Sequence, residues 1–136
     1  MDPLPLVVVD AANTVGSVPD GWWRDRHAAT VRLRDALAPL AGSGLPERAD
    51  VPRFARHGPL ELLLVVEGAA RGVPPVDGVA VASAPGSGDD HMVELIARAA
   101  HDHPGRPVLL ITADRALRER ARVHGAVSAG PKAVRS

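Results

Sequence analysis

Short apolar runs that end in an acid punctuate this chain, and they constrain its fold more than any other feature. Leu6-Val7-Val8-Val9 stops at Asp10, and Leu60 to Val66 stops at Glu67. The run Gly78 to Ala82 is followed by the pair Asp89 and Asp90, and Pro107 to Thr112 by Asp114. These runs are too short for helices, and two of them are continuously apolar and rich in β-branched residues. That is how a strand buried on both faces of a parallel sheet reads.

Between the runs the period changes. Ala29, Leu33, Ala36, Leu37 and Leu40 fall on one face of a helix predicted from about Asp20 to Leu40. Val93, Ile96, Ala97 and Ala100 do the same for Asp89 to Asp102, and Ala113, Leu117 and Ala121 for Asp114 to His124. Ala126-Val127-Ser128 is a short fifth strand. Residues 13–21 and 41–59 read as loops rich in Gly, Pro and Asp, the second with one short helical turn. It is long for a connection in a compact domain. Another turn is expected in the linker joining the second and third strands. The expectation is a three-layer α/β/α domain over residues 1–136, with a mostly parallel sheet of about five strands. In such sheets ligands bind outside the carboxyl ends of the strands.

Composition narrows the function classes. Sixteen basic and sixteen acidic residues cancel, which argues against a protein whose main task is to coat nucleic acid. Cysteine is absent, which removes disulfides, thiolate zinc sites and a cysteine nucleophile. Fifteen of the sixteen basic residues are Arg, as a GC-rich genome produces, so a single Arg carries little information. The longest apolar run is too short to span a bilayer, and the start lacks a basic signal region, so a cytoplasmic protein with no membrane partner is expected.

The acids are where chemistry is expected. Helix capping and the helix dipole explain Asp89, Asp90 and Asp114 one at a time. They explain Asp10 less well and Glu67 poorly, because an acid ending a buried strand has no helix of its own to cap. Carboxylates gathered at one sheet edge repel unless a cation or protons intervene. Oxygen ligands without thiolates point to Mg²⁺ or Mn²⁺. Such an ion can activate water and stabilise a phosphodiester transition state.

Four segments carry a family resemblance: VVVDAANTVG at 7–16, LLVVEG at 63–68, APGSGDDHMVELIA at 84–97 and ITADRALRERA at 111–121. Together they resemble the NYN-domain branch of the PIN-like ribonuclease superfamily. The match is best with small members from high-GC Gram-positive bacteria, in which the stretch SVPDGWWRDR at 17–26 also recurs. The resemblance implies a PIN-like fold and divalent-metal-dependent hydrolysis of RNA. It places metal ligands at Asp10, at one or both of Asp89 and Asp90, and at Asp114. Glu67 stands where relatives often carry Asp, which lengthens the arm and moves it toward a supporting role. Asn13 and Thr112 fill the family's polar positions, so that Asp10, Asn13, Asp90 and Asp114 form the expected catalytic set.

Substrate contacts are expected from Thr112, Arg115, Trp22 and Arg24. A tryptophan beside an arginine suits stacking on single-stranded bases, although one Trp is expected to pack the first helix onto the sheet. Arg115, Arg118 and Arg122 share one helix face, which reads as a phosphate grip or, more simply, as a solvated surface. Arg71 and Lys132 are weaker candidates. His101 and His103 fall at a helix end, where a dipole contact explains them without a metal. Ala12 breaks the Asp-x-Asp pattern of aspartyl-phosphate enzymes, and the receiver pattern fits no better. The alternatives are a catalytically weak RNA- or protein-binding module of the same fold and a metal-dependent nucleotide hydrolase. RNA is the expected partner, and a homodimer is left open.

Overall fold

The computed structural model describes residues 3–135. Five strands form one sheet: β1 (Leu6–Asp10), β2 (Glu61–Val66), β3 (Val79–Ser83), β4 (Val108–Ile111) and β5 (Val127–Ala129). Their order is β3-β2-β1-β4-β5, and every neighbouring pair is parallel. β1 and β4 are buried along their whole length, as their unbroken apolar sequence requires when helices cover both faces.

Side chains alternate between two cores. Val7, Val9, Leu62, Leu64, Val66, Leu109 and Ile111 face α2 (Arg26–Leu37), which contributes Ala29, Leu33 and Leu37. Val8, Val65 and Leu110 face the other way, toward Met92 and Ile96 of α4 (Gly88–Asp102) and Leu117 and Ala121 of α5 (Arg115–Arg122). The chain winds outward from β1 to β2 and β3 under one set of helices. It then crosses back through α4 to β4 on the far side of β1. This reversal makes a switch point between β1 and β4 at the carboxyl edge, the place where open α/β sheets leave a crevice. This is a three-layer α/β/α architecture, as the sequence led one to expect.

The loops depart from the sequence reading. Residues 11–15, partly expected as loop, form α1 (Ala11–Val15), opened by the Asp10 side chain accepting the Asn13 N–H at 3.2 Å. Thr14 and Val15 have weak helix propensity, so the cap and the burial of Ala11, Thr14 and Val15 hold this turn in place. The helix expected from Asp20 starts at Arg26, capped by Asp25, and Trp22–Arg24 form a separate 3₁₀ turn. Ala36, expected on the buried face, is exposed. In α4 Ile96 is buried as expected and Met92 joins it, whereas Val93, Ala97 and Ala100 are half-buried.

The 41–59 stretch is firmly packed. α3 (Leu40–Ser43) and a 3₁₀ turn at Arg53–Ala55 bracket it, and Leu45, Val51 and Ala55 enter the core. The Leu45 N–H donates to the Ala55 carbonyl at 2.8 Å. Gly58 lies so close to the Gly42 carbonyl that a Cβ would sit 1.9 Å from its oxygen, so glycine is required there. Between β2 and β3 the expected turn is a 3₁₀ turn at Gly68–Ala70. Among the described residues no helix is long and apolar enough to cross a membrane.

Candidate active site at the carboxyl edge of the sheet

Asp10 ends the central strand and is 5% exposed. Its Oδ2 accepts from the Thr112 hydroxyl at 2.9 Å, and its Oδ1 from the Asn13 N–H at 3.2 Å. The same Thr112 oxygen accepts from the Asp114 N–H at 3.2 Å, and the Asn13 side-chain oxygen accepts from the Ala113 N–H at 2.9 Å. Thr112 and Asn13 therefore tie the end of β1 to the start of α5 across the switch point. Asp114 caps α5 by accepting the Leu117 N–H at 3.1 Å. Arg118, read as a phosphate grip or more simply as solvated surface, instead donates to the Thr112 carbonyl at 2.8 Å and steadies this corner.

Glu67 follows β2 and reaches across to α4. Its Oε2 accepts the Gly88 N–H at 2.7 Å, at the first residue of that helix. A Cβ on Gly88 would lie 2.9 Å from the Glu67 carboxyl, so the glycine is what admits the acid. This corrects the expectation that capping explains Glu67 poorly: it caps a helix 21 residues further along the chain, a partnership invisible to local sequence. Ser87 accepts the Asp90 N–H at 3.3 Å and completes the helix start.

The pair Asp89-Asp90 is split by this geometry. Asp89 is half-buried, and the charges of Asp114, Glu67 and Asp90 press on it. Asp90 is exposed, and its Oδ1 pairs with Arg120 at 2.8 Å. Of the two, Asp89 joins the acid group, and Asp90, expected among the catalytic residues, is turned to a surface arginine. One helical step rotates a side chain by about 100°, so neighbours cannot both face the crevice.

The electrostatics reflect the convergence. Burial pushes the Asp10 carboxyl above its ordinary range, the Asn13 and Thr112 hydrogen bonds oppose this, and the charges of Asp89 and Glu67 add to the rise. Burial likewise raises Asp89, helped by Asp114 and Glu67 and opposed by Arg120. Among the described residues none of Asp10, Glu67, Asp89 and Asp114 forms a salt bridge. Among those residues, too, no three of His, Asp and Glu stand close enough to enclose an ion by themselves. The donors are nonetheless all hard oxygens, and Mg²⁺ commonly keeps several waters and takes one or two carboxylates. The donor set thus suits such an ion shared with water or phosphate, not one fully caged by protein.

A cleft of about 420 Å³ opens beside Glu67, which alone of the four acids lines it. Ala11, Val15, Trp22, Arg26, Glu67 and Arg71 line it. Trp22 is half-buried against the core, with the Arg26 guanidinium 5.3 Å from its ring centre. Trp23 is 53% exposed, meets Trp22 edge to face at 5.9 Å, and carries Arg24 above its ring. Arg24, expected to contact substrate, stands on Trp23, and neither lines the cleft. Arg26 does, and sequence reasoning passed over it, because one Arg among fifteen gives no signal without its neighbour Trp22 in space. Arg71 donates to the Ala84 carbonyl at 2.8 Å, which holds its guanidinium at the rim. Arg115 is exposed on α5. Arg122 pairs with Glu119, and His101 and His103 lie exposed at the end of α4.

No family model matches the sequence, and no curated protein matches it either. By structure, the chain is similar to Rae1 (YacP) from Bacillus subtilis, whose crystal structure was determined on a point mutant. The TM-score is 0.68 at 15% identity, over 96% of this chain and 72% of that one. At that identity the likeness is one of fold: nearly the whole chain shares the architecture of Rae1.

Proposed function

We propose that this protein is a divalent-metal-dependent ribonuclease that hydrolyses RNA phosphodiester bonds at the carboxyl edge of its sheet. The observation that carries the reading is the group Asp10, Glu67, Asp89 and Asp114: carboxylates gather there and, among the described residues, form no salt bridge, two of them with raised proton affinity. A cluster that disfavours its own charge is stabilised by a cation. The sequence resemblance to NYN-domain nucleases and the PIN-like fold point the same way.

In this reading Asp10 and Asp89 hold Mg²⁺ or Mn²⁺, with Asp114 and Glu67 at its margin. The ion would supply an activated water and charge stabilisation on the phosphate. Thr112 and Asn13 fix Asp10 in place through the bonds described above. Glu67 keeps α4 seated so that Asp89 faces the crevice. Arg115, exposed at the start of α5, is positioned for backbone phosphates, which need cations and not base-specific groups.

The test is cleavage of single-stranded RNA by the wild type and by Asp10→Asn at equal concentration, each with Mg²⁺, with Mn²⁺ and with chelator. Metal-dependent cleavage that Asp10→Asn abolishes is the expected result. Cleavage that survives both the substitution and the chelator overturns the reading. RNA binding without cleavage by the wild type in either metal identifies a binding module instead. Release of a mononucleotide from free nucleotide, with RNA left intact, identifies a nucleotide hydrolase.

A further inference from the structure

We infer that the cleft between α1 and the turn after β2 is a pocket for one unpaired nucleobase, with Trp22 as its aromatic wall and Arg26 and Arg71 receiving the adjoining phosphates. The inference rests on the nuclease reading and adds to it a requirement for single-stranded substrate. Several observations carry it. The cleft adjoins the acid group, because Glu67 belongs to both. Its volume, about 420 Å³, is within the range of small-ligand pockets and has room for one nucleotide. Its walls divide as a nucleotide does. Ala11, Ala12, Val15 and Ala70 give an apolar side for a base, and the two guanidinium groups give a cationic rim for phosphate.

Trp22 is built as a fixed wall. Its ring lies against Gly16, where a Cβ would come within 3.6 Å of Cζ2, and it packs on the core beneath. Gly86 also lines the cleft, and a Cβ there would meet no other atom within 4 Å. A base stacked within a duplex cannot enter a concave pocket without leaving its partner, whereas an unpaired base can. Base–aromatic stacking tolerates any base because every base has a π-face. The pocket therefore selects strandedness above sequence. Trp23 and Arg24 stand outside it and contribute less.

The experiment uses the full chain carrying Asp10→Asn, to keep RNA uncut, and Trp23→Phe, which leaves Trp22 as the single tryptophan. Trp22 fluorescence and the anisotropy of a labelled oligoribonucleotide are followed together in Mg²⁺. Single-stranded RNA should quench Trp22, and the same sequence as a duplex should not. An abasic oligonucleotide should bind more weakly by roughly tenfold, within the range of a lost stacking contact. Arg26→Gln, at an exposed position whose loss leaves the core intact, should weaken binding by a similar factor. In the otherwise wild-type enzyme, Arg26→Gln should raise KM for single-stranded RNA with kcat little changed.

Binding by anisotropy with Trp22 fluorescence unchanged overturns the pocket, and so does equal quenching by duplex. If the wild type cleaves RNA and Arg26→Gln leaves KM unaltered, the pocket falls while the nuclease reading stands. If the wild type neither binds nor cleaves RNA, both fall together.

Discussion

The two ends of the sheet treat charge in opposite ways. At the amino end, Glu61 opens β2 and pairs with Arg106, and Arg106 also donates to the Leu4 carbonyl at 2.7 Å. Each group there answers another, and the result is a tie between the N-terminal segment, β2 and the loop before β4. At the carboxyl end, Asp10, Glu67 and Asp114 receive backbone N–H groups or a hydroxyl, Asp89 feels its acidic neighbours and the more distant charge of Arg120, and among the described residues none of the four forms a salt bridge. The difference is that one end is finished by the protein alone, and the other is left with surplus negative charge that an added cation would neutralise. A sheet needs no such surplus for stability, so its presence is an argument for a site.

The sharpest way to break this comparison is Asp10→Asn. It removes one charge with almost no change in volume. It should lower RNA cleavage by about a thousandfold or more, as expected when several kcal/mol of charge stabilisation disappear. Initial rates at saturating RNA measure it, with circular dichroism to check the fold. Thr112→Val tests the support beneath Asp10. It deletes the hydroxyl that donates to Asp10 and accepts from the Asp114 N–H, in a residue with no exposed surface. A loss of about 10- to 100-fold in metal affinity or rate is expected, the usual effect of removing a ligand's orienting partner. An unchanged rate would show that Asp10 holds its orientation without help.

Metal should also appear as stability. At Mg²⁺ about a hundred times its dissociation constant the folded state gains roughly 2.7 kcal/mol. The melting temperature of the wild type should rise accordingly, and that of Asp10→Asn should rise much less. An equal rise in both proteins would place the ion elsewhere. In chelator, pH tests the same surplus. Asp10 and Asp89 have raised folded pKa values, so between the unfolded carboxyl value of about 3.9 and those raised values the folded state binds more protons than the unfolded one. Their contribution to stability is therefore lost as pH rises through that window. Asp10→Asn should flatten this part of the pH–stability curve, measured by denaturant midpoints. The smallest effect belongs to the other end. Glu61 is exposed, so Glu61→Gln should cost less than about 1 kcal/mol and leave cleavage unaltered. A change in cleavage from Glu61→Gln would dissolve the distinction between the two ends.

Much of the scaffold was legible in the chain. The strand runs around Val8, Leu64 and Leu110 are continuous because both faces are covered, and their length excludes helices. Leu33, Leu37, Leu117 and Ala121 announced their buried faces by spacing. Where spacing failed, packing had overridden it: α4 turns Met92 inward, into the same buried cluster as Val8 and Leu110. α1 escaped notice because a five-residue helix has almost no propensity signal and depends on the Asp10 cap and on burial. Asp10, Glu67 and Asp114 were conspicuous as acids at strand ends, but the choice between Asp89 and Asp90 was not. Both open the same helix, and only the direction of α4 against β1 and β2 decides which one faces the crevice.

By itself, then, the sequence determined the alternation of buried strands and helices, and the placement of an acid after each of four strands. These follow from local period and from side-chain type. The tertiary structure decided what the acids do to one another. The strand order puts β1 between β2 and β4, so residues 57 positions apart, Asp10 and Glu67, come to share one electrostatic field. Glu67 became a cap for a distant helix, Thr112 a bridge between two acids' loops, and Arg26 a neighbour of Trp22 at the rim of a cleft. Each of these is a relation across the switch point, and proximity through space is a property of the sheet's topology that no window along the chain contains.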